Sequence, residues 1–339
     1  MSYEQQRELI FQKVRSVEES DFTELALEIF RFQAIWNPLY AQFLTLLNVD
    51  IQKVKALESI PFLPIQLFKT HKVKTGIWQE ETIFTSSGTT GTLSARHFVR
   101  DLNFYKENTV KGFQGFYSDP ADFCTLALLP SYLERTGSSL VCMADHFIHL
   151  SAAGESGFFL QNTEQLVKVL IRVKSGQQPV LLLGVSFALL DLAERYEIDL
   201  QHVIIMETGG MKGRRRELTR DELHDKLKTA FGVSSIHSEY GMTELFSQAY
   251  SKGGGNFAPA STMRVFVRDM TDPMALLPPG KTGVLNIIDL ANFDTCSFIA
   301  TDDLGKVRED GYFAVLGRVD NSDIRGCNLM VSQMVLITS

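Results

Sequence analysis

The run Thr85-Ser86-Ser87-Gly88-Thr89-Thr90-Gly91-Thr92 has the composition of a loop that grips phosphate. Glycine lets backbone amides turn toward an anion without a β-carbon in the way, and each hydroxyl adds a donor. It is not the lysine-bearing loop of P-loop nucleotidases, because Leu93 follows Thr92. A plain turn or a flexible linker has the same composition, so residues elsewhere must decide.

Two further stretches carry matching chemistry. In Tyr240-Gly241-Met242-Thr243-Glu244, a ring can stack on a base, a hydroxyl can meet a phosphate and a carboxylate can hold Mg²⁺. The stretch follows a strand candidate, where α/β sheets carry ligands; a turn with a packed tyrosine and a solvated glutamate is the alternative. Further on, Thr301-Asp302-Asp303-Leu304-Gly305 and Leu316-Gly317-Arg318-Val319-Asp320 each read as a turn after a strand. An acid there can bridge both ribose hydroxyls, and arginine can reach a phosphate or ribose oxygen. Turn-favouring Asp and Gly explain each stretch separately, but their joint order is harder to attribute to turns.

The elements that must position these residues alternate along the chain. From Tyr3 to Leu47 apolar residues recur at helical spacing, with Ser20 or Asp21 as a cap and Asn37-Pro38 as a break. Pro61, Pro64 and the basic stretch His71 to Lys74 predict an extended connector. Strands are then expected at Thr82–Phe84, Cys124–Leu129, Val180–Leu183, Val203–Met206 and Ser234–His237, and helices at Leu102–Phe116, Ser139–Leu150, Thr163–Lys174, Ser186–Tyr196 and Arg220–Phe231. Thr219-Arg220-Asp221-Glu222 is a capping box for the last of these. This alternation predicts an α/β fold with buried, largely parallel strands. Beyond Thr262, shorter strands at Met263–Val267, Gly283–Leu290, Cys296–Ile299 and Tyr312–Val315 predict a small β-rich part. Lys252 to Asn256, with three consecutive glycines, reads as a mobile surface loop.

The 339 residues, 45% of them hydrophobic, can fill a sizeable core. A net charge of −7 offers no general field for a polyanion, so nucleic acid is not an expected partner. The segment Met1 to Lys13 is polar where a secretory signal would be apolar, and no apolar run reaches membrane-span length; a cytoplasmic protein without membrane insertion is expected. Cys124, Cys142, Cys296 and Cys327 show no metal or disulfide spacing and read as reduced thiols. His146 and His149 are expected to be packed or hydrogen-bonded within the core rather than to bind metal, and His237 is a candidate lining residue.

In these motifs and their order the chain resembles the adenylate-forming superfamily of acyl-activating enzymes. TSSGTTGT is similar to its phosphate loop, Glu207 to Gly213 (ETGGMKG) to its adenine-side glycine pair Gly209 and Gly210, and Glu239 to Glu244 (EYGMTE) to its central signature. The resemblance implies ATP and Mg²⁺ as cofactors. Tyr240 would stack on adenine, Thr243 would contact the AMP phosphate and Glu244 would hold the metal. Asp303 would bind ribose, and Arg318 would contact the nucleotide from a hinge at Asp320. Within the superfamily the chain most resembles the acyl-protein synthetases, through Leu128 to Arg135, Met206 to Arg216 and Asp320 to Cys327. That likeness implies activation of a fatty acid as acyl-AMP and transfer of the acyl group to Cys327, with a partner protein giving or receiving it.

The implied organisation is an adenylate-forming domain over 1–318, comprising a helical region (1–75), an α/β nucleotide-binding part (76–262) and a β-rich part (263–318). A short tail over 319–339 carries the candidate acceptor. So few residues follow Asp320 that the mobile lid of the wider superfamily, with its lysine, is expected to be truncated. Positive charge for the transition state would then come from the loop, Mg²⁺ and basic residues such as Lys212, Arg214, Arg215 and Arg216; a solvated basic surface is the alternative for these. Two other functions stay open: delivery of the acyl group to CoA or an acyl carrier protein, and a non-catalytic nucleotide-binding regulator. A regulator has no need of a magnesium-holding carboxylate beside its phosphate loop.

Overall fold

The computed structural model describes residues 1–86, 93–130, 137–159, 162–209 and 218–319. The chain divides into two compact units that are discontinuous in sequence. The first comprises Met1–Asn108, Thr243–Ser247 and the chain from Pro259 onward, and the second Thr109–Met242 and Gln248–Ala258.

In the first unit the amino-terminal periodicity resolves into helices Tyr3–Arg15, Phe22–Trp36 and Pro38–Leu46. Ser2 and Gln5 form a capping box for the first. Asp21 stands at the start of the second without a side-chain capping bond. Asn37 ends the second helix and caps the third by accepting from Tyr40 N at 3.0 Å, with Pro38 at the first helical position, where its missing N–H costs nothing. These helices bury an apolar face on the antiparallel strands Met263–Arg268, Thr282–Asp289, Phe298–Val307 and Phe313–Arg318. Phe30 and Tyr40 meet Phe298 at centroid distances of 6.0 and 5.9 Å. Buried Gln33 donates to the carbonyls of Asn292 and Phe293 and accepts from Ser297 N. A separate hairpin, Thr82–Thr85 with Arg96–Val99, flanks the glycine-rich run.

Several expectations about this unit change. The segment Thr301–Gly305 is not a turn, because it lies inside the ten-residue strand Phe298–Val307, paired on both sides. Arg318 is likewise the last residue of a strand. Cross-strand partners override the turn preference of Asp and Gly. A bulge accommodates Gly317, at φ 147°, opposite Leu304. The connector is not wholly extended either: Leu63–Pro64 pairs in parallel with Ile299–Ala300, and Leu67–Thr70 is one helical turn.

The second unit is a parallel sheet in the order Gly157–Phe158, Cys124–Leu128, Val180–Val185, Val203–Thr208, His237–Tyr240, followed by antiparallel Ala249–Ser251 and then Asn256–Pro259. Helices Ser139–Leu150, Thr163–Val173, Ser186–Arg195 and Arg220–Phe231 accompany it. Every residue of Val180–Val185 is buried, as an apolar run covered on both faces requires. The Thr219/Glu222 capping box is present, and Gly232, at φ 61°, closes that helix. The last parallel strand begins at His237 rather than Ser234 and so takes in Tyr240. Lys252–Gly255 is the turn of a hairpin, its three glycines all at positive φ. His149 is exposed rather than core, its ring bonded to the Asp145 carbonyl. Among the described residues no helix is long and apolar enough to cross a membrane.

Candidate active site

The first unit builds its share around the short segment Thr243–Ser247. The buried strand Thr282–Asp289 ends in Asp289, whose carboxylate caps the following turn through Ala291 N. The same carboxylate accepts from Phe246 N at 2.8 Å, Ser247 N at 2.9 Å and Ser247 Oγ at 2.6 Å. Asn292 Nδ2 donates to the Glu244 carbonyl at 2.7 Å, and Asn108 Nδ2 to that of Phe246 at 3.0 Å. His97 Nδ1 lies 2.8 Å from the Thr243 carbonyl. Four side chains distant in sequence thus fix the backbone on which Thr243 and Glu244 are carried.

Glu244 is itself buried. Burial raises its pKa to about 7; its own backbone amide, Arg318 and Lys69 act in the opposite sense, and Asp303 reinforces the rise. Asp303, also buried, accepts from Arg318 Nε at 3.0 Å, while its backbone N–H donates to Thr301 Oγ1. Burial raises the neighbouring Asp302, which accepts from Gln66 Nε2. The unit therefore brings Arg318, Lys69 and Asp303 within electrostatic reach of Glu244, and Arg318 and Asp303 within reach of Asp302. At the base of the glycine-rich run, Thr85 ends a strand and Ser86 closes the loop, its N–H on the Ala95 carbonyl and its Oγ accepting from Ala95 N.

The second unit presents Gly209 and Tyr240 at the carboxyl ends of adjacent parallel strands. Gly209 takes φ 68°, and its carbonyl and the Glu207 carboxylate share the single hydroxyl proton of Ser186, at 2.7 and 2.9 Å. Burial acts to raise the Glu207 pKa, but His224, Arg220, Ser238 and Ser186 together hold it below its ordinary value. Burial raises Glu239 to about 7, with Thr208 acting against the rise and Glu207 reinforcing it. Tyr240 is buried, its ring 5.9 Å from Phe257. A β-carbon on Gly241 would come within 2.5 Å of Glu239 Oε1, so a side chain there would displace that carboxylate. His237 bonds the Tyr117 hydroxyl.

Ser87, Gly88, Thr89, Thr90, Gly91, Thr92, Gly210, Lys212, Arg214 to Arg216, Asp320 and Cys327 lie outside the described residues. His97, Asn108, Asp289 and Asn292 went unread in the sequence. Asp289 and Asn292 did carry a signal, as polar residues within the apolar run Val284 to Phe293, since a buried acid or amide must be there for its hydrogen bonds. His97 and Asn108 carried none.

The family model for acyl-protein synthetases, LuxE, matches residues 140–336. Two proteins named long-chain-fatty-acid--luciferin-component ligase are similar along most of their length. That of Aliivibrio fischeri is 24% identical, covering 92% of this chain and 88% of the relative. That of Vibrio harveyi is 26% identical, covering 88% and 83%. Among solved structures, 2-hydroxyisobutyryl-CoA ligase in its postadenylation state with 2-HIB-AMP aligns with a TM-score of 0.67 at 13% identity, over 91% of this chain and 70% of that one. ATP-bound MatB from Rhodopseudomonas palustris aligns with a TM-score of 0.53 at 17% identity, over 70% of this chain. The chain spans about half the length of MatB, 47%. At these identities the structural likeness establishes the fold alone.

Proposed function

Because the chain belongs to the acyl-protein synthetase (LuxE) family, we propose that it activates a fatty acid with ATP and passes the acyl group to a protein thiol. A carboxylate oxygen of the fatty acid attacks the α-phosphorus of ATP and pyrophosphate leaves; a thiolate sulfur then attacks the acyl carbon and AMP leaves. The observation that carries this reading is the gathering of Glu244, Asp303 and Arg318 in one unit from three separate stretches of chain.

The donor set suits Mg²⁺. No group of three or more His, Cys, Asp or Glu among the described residues is arranged to cage a metal, but Mg²⁺ is ordinarily held through one or two carboxylates together with substrate phosphates. Glu244 offers such a carboxylate, and the bound ion would offset phosphate charge. Asp303 can accept from both ribose hydroxyls while Arg318 holds it in place, and the exposed Arg318 guanidinium can reach a phosphate or ribose oxygen. Tyr240 is assigned to the base and Thr85 to Thr92 to the phosphates.

Cys327 is the proposed acyl acceptor. Burial raises Cys296 to about 12 and also raises Cys124, so neither offers thiolate near neutrality. Incubation with ATP, Mg²⁺ and a panel of fatty acids, followed by intact-mass analysis with and without hydroxylamine, tests the whole reading. A hydroxylamine-labile acyl increment supports it, whereas acyl transfer only to added CoA or carrier protein would replace the acceptor.

A further inference from the structure

We infer that His97 is a positioning residue for adenylate formation, acting through the Thr243 carbonyl to hold Thr243 and Glu244 in place; this rests on the function proposed above. The Thr243 carbonyl can only accept, so Nδ1 of His97, 2.8 Å away, must carry the proton. Nε2 is then a bare acceptor, and it faces the Thr295 hydroxyl at 3.0 Å. The Thr243 carbonyl thus fixes the tautomer, and the Thr295 hydroxyl, which also lies 3.3 Å from the Asn292 carbonyl, supports it when its single proton turns to Nε2.

The ring has no exposed surface and is enclosed by Phe246 at 4.9 Å and Phe68 at 5.8 Å. Burial keeps it neutral, pulling its pKa down to about 4. Water cannot easily take the place of its N–H, so a variant without that donor leaves the carbonyl short of a partner in an apolar wall. Asn292 and Asp289 hold the same segment from Glu244 onward; His97 is the side chain that holds it one residue before the carboxylate.

The test compares His97→Leu, His97→Asn and Thr295→Val in carboxylate-dependent ATP–pyrophosphate exchange, with kcat, the KM for fatty acid and the Mg²⁺ half-saturation measured beside denaturant unfolding. Asparagine can place an amide N–H near the position of Nδ1, and Thr295→Val removes the partner of Nε2 without touching Thr243. His97→Leu is expected to lower kcat about 10- to 100-fold, the scale of a sub-ångström to 1 Å misplacement, and to raise the Mg²⁺ requirement with the fatty-acid KM unchanged. His97→Asn should recover most of that loss at no greater stability than His97→Leu, and Thr295→Val should fall between. Should His97→Leu fail to fold, the order of Thr295→Val and His97→Asn against wild type decides. Equal kcat in wild type and the variants, or losses that simply follow stability, overturn the inference alone. No exchange by the wild type with any fatty acid overturns the underlying reading, and the inference with it.

Discussion

Asp303 and Arg318 are direct partners across neighbouring strands, joined by Arg318 Nε and Asp303 Oδ1 at 3.0 Å, yet their side chains are 8% and 73% exposed. The carboxylate is anchored inside the sheet and the guanidinium reaches out from it. Such a pair is built to present a group, since an ion pair with one exposed member adds little stability.

Asp303→Asn and Arg318→Gln are therefore expected to change unfolding free energy by less than about 1 kcal/mol, while weakening ATP binding roughly tenfold or more through lost charge-assisted hydrogen bonds. Unfolding curves and the KM for ATP in pyrophosphate exchange measure the two effects. A change confined to the fatty-acid KM would remove Asp303 from the ribose.

Glu244→Gln preserves shape and the backbone bonds from Asn292 and His97 but removes the negative charge. Pyrophosphate exchange should fall by about two to three orders of magnitude, the usual scale for losing one preorganised charge-stabilising group. The fold should hold, because a neutral amide is cheaper to bury than an ionised carboxylate. Exchange within twofold of wild type would show that magnesium is held elsewhere.

The parallel sheet and its helices were legible in the sequence because their signals are local: apolar runs such as Val180–Leu183 and a capping box at Thr219. The acidic stretch at Asp302–Asp303 was found but misread as a turn, because what makes it a strand is pairing with Thr282–Val284 and Phe313–Arg318, which no local window contains. Which segment the supporting residues hold was invisible for the same reason, even where Asp289 and Asn292 stood out as polar residues in an apolar run. His97, Asn108 and Asn292 reach the signature from 146, 138 and 48 residues away.

Asp289 supplies the largest structural test. Its two oxygens accept four bonds from Phe246 N, Ser247 N, Ser247 Oγ and Ala291 N. An amide has a single acceptor oxygen and turns its NH₂ toward donors. Asp289→Asn should cost about 2–4 kcal/mol of stability, readable as a lower denaturant midpoint, and should reduce exchange in the fraction that stays folded. A shift below about 0.5 kcal/mol would contradict the buried geometry.

His97 and His237 should make the protein less stable in mild acid, against buried Glu239 and Glu244, whose raised pKa values of about 7 act in the opposite sense. Burial lowers His97 from 6.5 to about 4, and His237 falls to a similar value through burial and Lys252. Between those limits the unfolded chain binds protons that the two folded histidines refuse, so their contribution to stability falls as pH falls from 6.5 toward 4. His97 alone contributes up to about 3 kcal/mol across that window. Urea unfolding at stepped pH should show that His97→Asn loses less stability, or gains more, than wild type between pH 6.5 and 4. An unchanged slope in the variant would place the titration elsewhere.

Cys327→Ser separates the two half-reactions. Adenylation uses no thiol, so pyrophosphate exchange should persist at the wild-type rate. The hydroxylamine-labile acyl increment should vanish, because an oxygen ester is far less prone to hydroxylamine and a serine hydroxyl is a poor nucleophile without an adjacent base. Cys124 and Cys296 cannot readily substitute, being buried with raised pKa values. Cys142, partly buried, is the internal control: Cys142→Ser should leave both exchange and acylation intact. Acyl label that survives Cys327→Ser and maps to Cys142 would move the acceptor there. Exchange without any acyl-protein in the wild type would instead point to a diffusible thiol as the natural acceptor.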